Sequence, residues 1–142
     1  MGTDNYAYFQ ISTKAIIWKE GKILTLTTPT GHIDFPGGRM DKHETDIEFE
    51  EILNREILEE LGKNIKISIH KLAYVSRRKY LDDNEIKNVA LIYYEGGYVS
   101  GEIKMSDEHE KLEWLSPEEL LKREEEFISK HDFADIKKYI IF

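Results

Sequence analysis

Three glutamates fall close together in the run Arg55-Glu56-Ile57-Leu58-Glu59-Glu60-Leu61-Gly62. At about 100° per residue, a helix gathers Glu56, Glu59 and Glu60 into an arc of roughly 100°. Leu53, Ile57 and Leu61, spaced i, i+4, form a neighbouring apolar stripe. One side of such a helix seeks a core, and the adjoining side carries three carboxylates. Crowding of this kind is costly unless a cation neutralises it, and hard oxygen donors suit Mg²⁺ or Mn²⁺. Taken alone, Glu-x-x-Glu-Glu also describes a solvated acidic face in a chain with 28 acidic residues.

The elements that must position these carboxylates lie just upstream. Pro36-Gly37-Gly38 reads as a turn, followed by a polar loop to Glu44. Thr45-Asp46-Ile47-Glu48 has the pattern of a capping box, with Thr45 as N-cap and Glu48 reaching back. The helix is therefore expected from Asp46 to about Leu61, with Gly62 as its stop.

Length and composition bound the rest. The 142 residues suit one domain spanning 1–142, and 40% hydrophobic residues suffice for a core. No run approaches the roughly 20 apolar residues of a membrane helix, so no membrane partner is expected. With no cysteine, disulfides, cysteine nucleophiles and thiolate zinc sites are excluded. No export signal is visible at the N-terminus, so the expected location is cytoplasmic. A net charge of -8 argues against binding nucleic-acid polymers. Small phosphorylated ligands remain compatible, because a bound divalent ion inverts the local sign.

Along the chain, Tyr8 to Lys19 and Lys22 to Thr28 read as a strand hairpin around Glu20-Gly21. Ile33-Asp34-Phe35 is a short extended piece. Ile65, Ile67 and Ile69 alternate with polar residues, and this strand continues to Val75. The charged stretch Arg77 to Lys87 reads as a loop, Asn88 to Tyr94 as a central strand, and Gly96-Gly97 and Gly101 as turns around Tyr98-Val99. Lys111 to Leu115 is a last strand. Ser116-Pro117-Glu118-Glu119 is a helix start, and Asp132 to Phe142 a final helix with Phe133, Ile136, Tyr139 and Ile140 inward. This order predicts an α/β (α+β) fold, with a mixed sheet between helices.

The segment from Gly38 to Gly62 resembles the signature box of the Nudix hydrolases, G-x5-E-x7-R-E-U-x-E-E-x-G-U, with U a bulky aliphatic. Gly38, five residues and Glu44 match, as does Arg55 through Gly62. Two positions depart from the pattern. Ten residues, not seven, separate Glu44 from Arg55, and Lys63 occupies the last aliphatic position, where Ile65 is expected to take over the packing. The preceding hairpin and Trp114-Leu115-Ser116-Pro117-Glu118-Glu119-Leu120 are also similar to the family. Met105-Ser106-Asp107-Glu108-His109 followed by Trp114 resembles a segment of its diadenosine-polyphosphate-cleaving members. Because Thr45 caps directly after Glu44, the three extra residues are assigned to the helix, lengthening it by about 4.5 Å at its N-terminal end.

The resemblance implies an α/β/α sandwich and a metal-dependent pyrophosphohydrolase that cleaves a nucleoside diphosphate linked to another moiety. Diadenosine polyphosphate, dNTP, nucleotide sugar and ADP-ribose all remain open as the small-molecule substrate, as do monomer and homodimer. It implies Glu56, Glu59 and Glu60 as ligands of Mg²⁺ or Mn²⁺, with a loop carbonyl at Gly37 or Gly38. Glu59 or Glu60 doubles as a candidate general base. Arg55 is implied to orient a box glutamate, and Glu44 to brace the loop. Glu108 is the candidate loop ligand or base, with Glu110 and Glu95 as alternates. Arg77, Arg78 and Tyr80 are read first as solvated loop residues. His43, His70 and His109 are read as ordinary, with His109 the one to test. The alternative function is an inactive Nudix-fold nucleotide-binding or sensor domain. The isomerase of the same fold uses a catalytic cysteine that this chain lacks, and a decapping enzyme does not fit the charge.

Overall fold

The computed structural model describes residues 5–109 and 111–141. Its centre is a seven-stranded mixed sheet. The strands are β1 (Gln10–Lys19), β2 (Lys22–Thr27), β3 (Ile33–Asp34), β4 (Gly37–Arg39), β5 (Lys66–Asp82), β6 (Glu85–Ser100) and β7 (Lys111–Leu115). The main path runs β3-β2-β1-β6-β5, with β4 paired to β1 and β7 to β2. Among the strand pairs of the described residues, β1–β6 is parallel and the others are antiparallel.

Helix α1 (Phe49–Leu61) covers one face. Its Leu53, Ile57 and Leu61 pack with Ala15, Ile17, Leu24 and Leu26, whose alternation along β1 and β2 sends them to that side. Each such burial is worth about 1.5–3 kcal/mol. Ile65 joins this cluster while Lys63 is exposed, so the aliphatic contact has moved two residues along the chain. The other face is covered by α2 (Pro117–Leu121) and α3 (Lys130–Ile141). Leu120, Phe133 and Ile136 pack there on Ile16, Leu91 and Tyr93. Ser116 caps α2 as its sequence predicts, accepting from Glu119 N at 3.1 Å. Phe142 lies outside the described residues.

Three expectations are corrected. The helix carrying the glutamates does not begin at Asp46: Lys42–Glu44 form a 3₁₀ turn, Thr45 to Glu48 link it to the helix, and α1 opens at Phe49. Glu44 competes successfully for the capping role, its Oε1 accepting from Asp41 N at 2.8 Å. The three extra residues therefore lengthen the connection and leave the helix at 13 residues. Second, Arg77 to Lys87 is not a loop but the distal hairpin of β5 and β6. Asp83 and Asn84, with φ of 50° and 63°, supply the two left-handed positions of a tight turn. Third, Gly96 and Gly97 lie inside β6. A Cβ at Gly96 would stand 2.6 Å from Ser68 O, so this glycine permits close strand approach and marks no turn.

Candidate active site

The Pro36–Arg39 segment is pinned against β1 and does not form a free turn. Ala15 N donates to Pro36 O at 2.9 Å, and Gly37, Gly38 and Arg39 pair with Lys14, Thr13 and Ser12. Gly37 has φ 141°, and a Cβ there would lie 2.0 Å from Thr13 O; only glycine fits. Gly38 lies directly against the helix: a Cβ there would sit 2.3 Å from Glu56 Oε2. The loop and the glutamates, distant in sequence, thus meet without an intervening side chain.

Arg55 is the hub of the acidic face. It grips Glu44 with two hydrogen bonds, Nε to Oε2 and Nη2 to Oε1, both 2.6 Å. Its Nη1 reaches Glu59 Oε1 at 3.1 Å, and Nη2 stands 3.0 Å from Glu56 Oε1. The hydrogen bonds to Glu44 chiefly raise the Arg55 pKa, and the same pair lowers that of Glu44. Glu44 is buried and clamps the loop onto the helix across the inserted segment.

Glu60 is the most enclosed of the three helix glutamates. Its Oε1 accepts from Gly37 N at 2.6 Å, and it is 7% exposed. Burial pushes its pKa up to about 7 despite the nearby Lys14 charge and the Gly37 hydrogen bond. Burial also raises Glu56, although Arg55 opposes the shift. Glu59 remains largely exposed, its side chain at 59%. Carboxylates left short of positive charge in a partly dry site are what a divalent cation relieves.

Among the described residues, no group of three His, Asp or Glu side chains already converges as a ready-made ion site. The carboxylates are turned to Arg55, Gly37 and His109. The donor chemistry nevertheless fits the ion: hard oxygens from Glu56, Glu59 and Glu60, and a glycine loop that lets backbone come close.

Glu108, expected from the loop before β7, is exposed there. Its neighbour His109 turns inward, with Nε2 3.4 Å from Glu60 Oε2. Burial lowers the His109 pKa, which favours the neutral ring. Glu95 accepts from Tyr139 OH at 2.5 Å, a partner on α3, and Glu110 lies outside the described residues.

Sequence reasoning missed a buried charge network on the α3 side. Lys14 Nζ meets Asp34 Oδ2 at 3.1 Å and also donates to Phe35 O. Arg78 Nη2 meets Asp132 Oδ1 at 2.7 Å and Asp34 Oδ1 at 3.4 Å. Burial pushes the Asp34 pKa up, but Lys14 and Arg78 outweigh it and hold the group at about 2. The signal was present as an Arg-Arg pair in β alternation, which the charge of Arg77 to Lys87 obscured. Arg39, next to Gly38, reaches the same hairpin, pairing with Asp82 at 3.0 Å and stacking 4.5 Å from the Tyr80 ring centroid.

Two cavities flank this side. One of about 490 Å³ is lined by Phe9, Arg77, Arg78, Asn88, Ser129 and His131 among others. A larger one of about 660 Å³ lies between β5 and α3 around Trp18, Tyr74 and Tyr139, and neither is lined by a box carboxylate. Arg78 ties the smaller cavity to Asp34, whose charge reaches Glu60.

A mixed sheet between helices, with a glycine loop abutting an acidic helix, defines an α+β scaffold with a carboxylate-rich centre. A NUDIX domain model matches residues 9–134, and the chain belongs to the Nudix hydrolase family. Among solved structures it is similar to a MutT protein from Methanosarcina mazei Go1, at 28% identity over 92% of each chain with a TM-score of 0.75. It is also similar to a MutT protein from Bacillus halodurans, at 27% identity over 91% of this chain and 80% of that one, TM-score 0.69. An ADP-ribose pyrophosphatase from Streptococcus suis shares the fold at 19% identity, covering 78% and 76%, TM-score 0.60. No curated protein matches the chain. No helix among the described residues is long and apolar enough to cross a membrane.

Proposed function

We propose that the protein is a Mg²⁺- or Mn²⁺-dependent pyrophosphohydrolase acting on a nucleoside diphosphate joined to a further group. The observation that carries this reading is the junction of Gly37 and Gly38 with Glu60 and Glu56. It brings carboxylates of raised pKa to a backbone that a phosphate chain can approach.

Glu56, Glu59 and Glu60 would hold the ion, with the Gly37 or Gly38 carbonyl as a further ligand. When bound, the ion supplies Lewis-acid polarisation of the phosphoryl group and acidifies the attacking water. Arg55 fixes the orientations of Glu56 and Glu59 and is itself fixed by Glu44. Glu59 or Glu60 accepts the water proton; Glu108, exposed on its turn, is the second candidate for that role. The substrate choice lies among dNTPs, diadenosine polyphosphates, nucleotide sugars and ADP-ribose; the similar structures include a UDP-X diphosphatase and an ADP-ribose pyrophosphatase.

The test is a panel of dNTPs, diadenosine polyphosphates, nucleotide sugars and ADP-ribose with Mg²⁺ or Mn²⁺, read as phosphate after a coupling phosphatase. Metal-dependent turnover is expected, falling by on the order of 10²–10⁴-fold in Glu59→Gln and Glu60→Gln. Nucleotide binding without turnover under every metal condition would instead identify a sensor domain.

A further inference from the structure

The segment between β6 and β7 is stitched to the last turn of α1. Lys104 N donates to Leu61 O at 2.8 Å, and Ser106 N donates to Glu60 O at 2.9 Å. These bonds satisfy carbonyls that a helix end otherwise leaves open. They also fix where the following turn, with its exposed Glu108, can place His109. The His109 side chain is 11% exposed, and its Nε2 lies 3.4 Å from Glu60 Oε2. The opposite oxygen, Oε1, is already taken by Gly37 N. Glu60 is therefore bracketed by the glycine loop before the helix and by this turn after it.

The other imidazole nitrogen gives a second observation. Among the described residues, His109 Nδ1 is buried without a hydrogen-bond partner, and so is Ser106 Oγ in the same turn. Buried polar atoms without partners are rare, and each calls for an explanation. A ring placed only for packing would be cheaper as leucine. With its proton on Nε2, the imidazole stands against Glu60 Oε2 at 3.4 Å, an electrostatic contact, and leaves Nδ1 as the unpaired acceptor.

We propose that His109 is a positioning residue for the hydrolysis, restricting the rotation of the Glu60 carboxylate from the side opposite Gly37 so that Glu60 meets the divalent ion in one orientation. This rests on the metal-dependent reading of the site. It assigns chemistry to the turn through His109, whereas the sequence pointed to the adjacent Glu108. Groups that orient a metal ligand from behind contribute about 10–100-fold to affinity or activity when measured by removal.

The experiment is Mn²⁺ titration of the protein without substrate, followed by electron paramagnetic resonance of free Mn²⁺. Wild type is compared with His109→Leu, His109→Asn and His109→Gln, with thermal melts as the folding control. A Gln amide reaches the Nε2 position, and an Asn amide reaches only Nδ1. Gln is expected to bind Mn²⁺ within about twofold of wild type, and Leu and Asn about tenfold more weakly. In turnover, Leu and Asn should lower kcat and leave the nucleotide KM nearly unchanged. If Leu fails to fold, the Asn-against-Gln difference decides alone. Equal Mn²⁺ affinity and kcat in wild type, Asn and Gln overturn the His109 assignment. A wild-type chain that binds no Mn²⁺ overturns the metal-dependent reading and this proposal with it.

Discussion

The sheet carries two clusters of charge, one on each side, and they are balanced differently. On the α3 side, Lys14 and Arg78 face Asp34 and Asp132, all four buried. Each acid has a cation, and Asp34 is held at about 2. On the α1 side, Arg55 is shared among Glu44, Glu56 and Glu59, and Glu60 leans on a backbone N–H and on the field of Lys14, which is already paired with Asp34. There burial wins, and Glu60 rises to about 7. A balanced cluster is complete within the chain and ties β1, β3, β5 and α3 together. An acid excess is incomplete and gains from a ligand that the chain does not encode.

The largest expected contrast is in stability. Arg78→Met leaves Asp34 and Asp132 buried with one cation fewer, and should cost about 3–5 kcal/mol in urea unfolding. Glu60→Gln keeps an acceptor for Gly37 N and removes an acid of raised pKa. It should leave metal-free stability unchanged or higher at pH 8. A large loss there would show that Glu60 belongs to the structural kind of cluster.

The pH dependence of the two acids has opposite sign. Asp34, lowered from 3.8 to about 2, contributes stability that is fully present above 3.8 and lost as pH falls through 2. Its contribution, on the order of 2 kcal/mol, is flat between pH 5 and 8. Glu60, raised from 4.5 to about 7, contributes no penalty below 4.5 and a growing one as pH rises through 7, on the order of 3 kcal/mol. In chelator, the advantage of Glu60→Gln over wild type should therefore grow from pH 5 to pH 8, whereas the cost of Asp34→Asn should not change. Parallel profiles would contradict the separation.

A smaller effect divides the two glycines of the loop. Gly38→Ala pushes only on the flexible end of Glu56, so the chain should fold while Mn²⁺ affinity falls by about tenfold. Gly37→Ala drives a Cβ into Thr13 O at a left-handed φ, and its loss should appear as lowered melting temperature. The smallest change is deletion of Thr45, Asp46 and Ile47, which shortens a surface connection outside α1. It should cost under about 1 kcal/mol if the Arg55–Glu44 clamp re-forms, as stability curves will report.

Much of this was legible in the residues. The hairpin β1–β2, the buried face of α1, the Ser116 cap and the mixed sheet follow from periodicity and local turn chemistry. The start of α1 was not, because Thr45-x-x-Glu48 and Asp41-x-x-Glu44 are both capping patterns. Arg55 decides between them by seizing Glu44 from eleven residues away. Arg77 to Lys87 misled for a related reason. Its alternation is intact, but Arg78 faces inward only because Asp34 and Asp132 await it from β3 and α3.

By itself the sequence determined the period of each long element and the spacing of Glu56, Glu59 and Glu60 along one helical arc, since both are set by neighbours a few residues apart. The tertiary structure decided which carboxylate is dry, which has a cation, and which histidine stands behind Glu60. Burial and Coulomb energy depend on distances between elements, and those distances exist only once Gly37, α1 and the turn at His109 have come together.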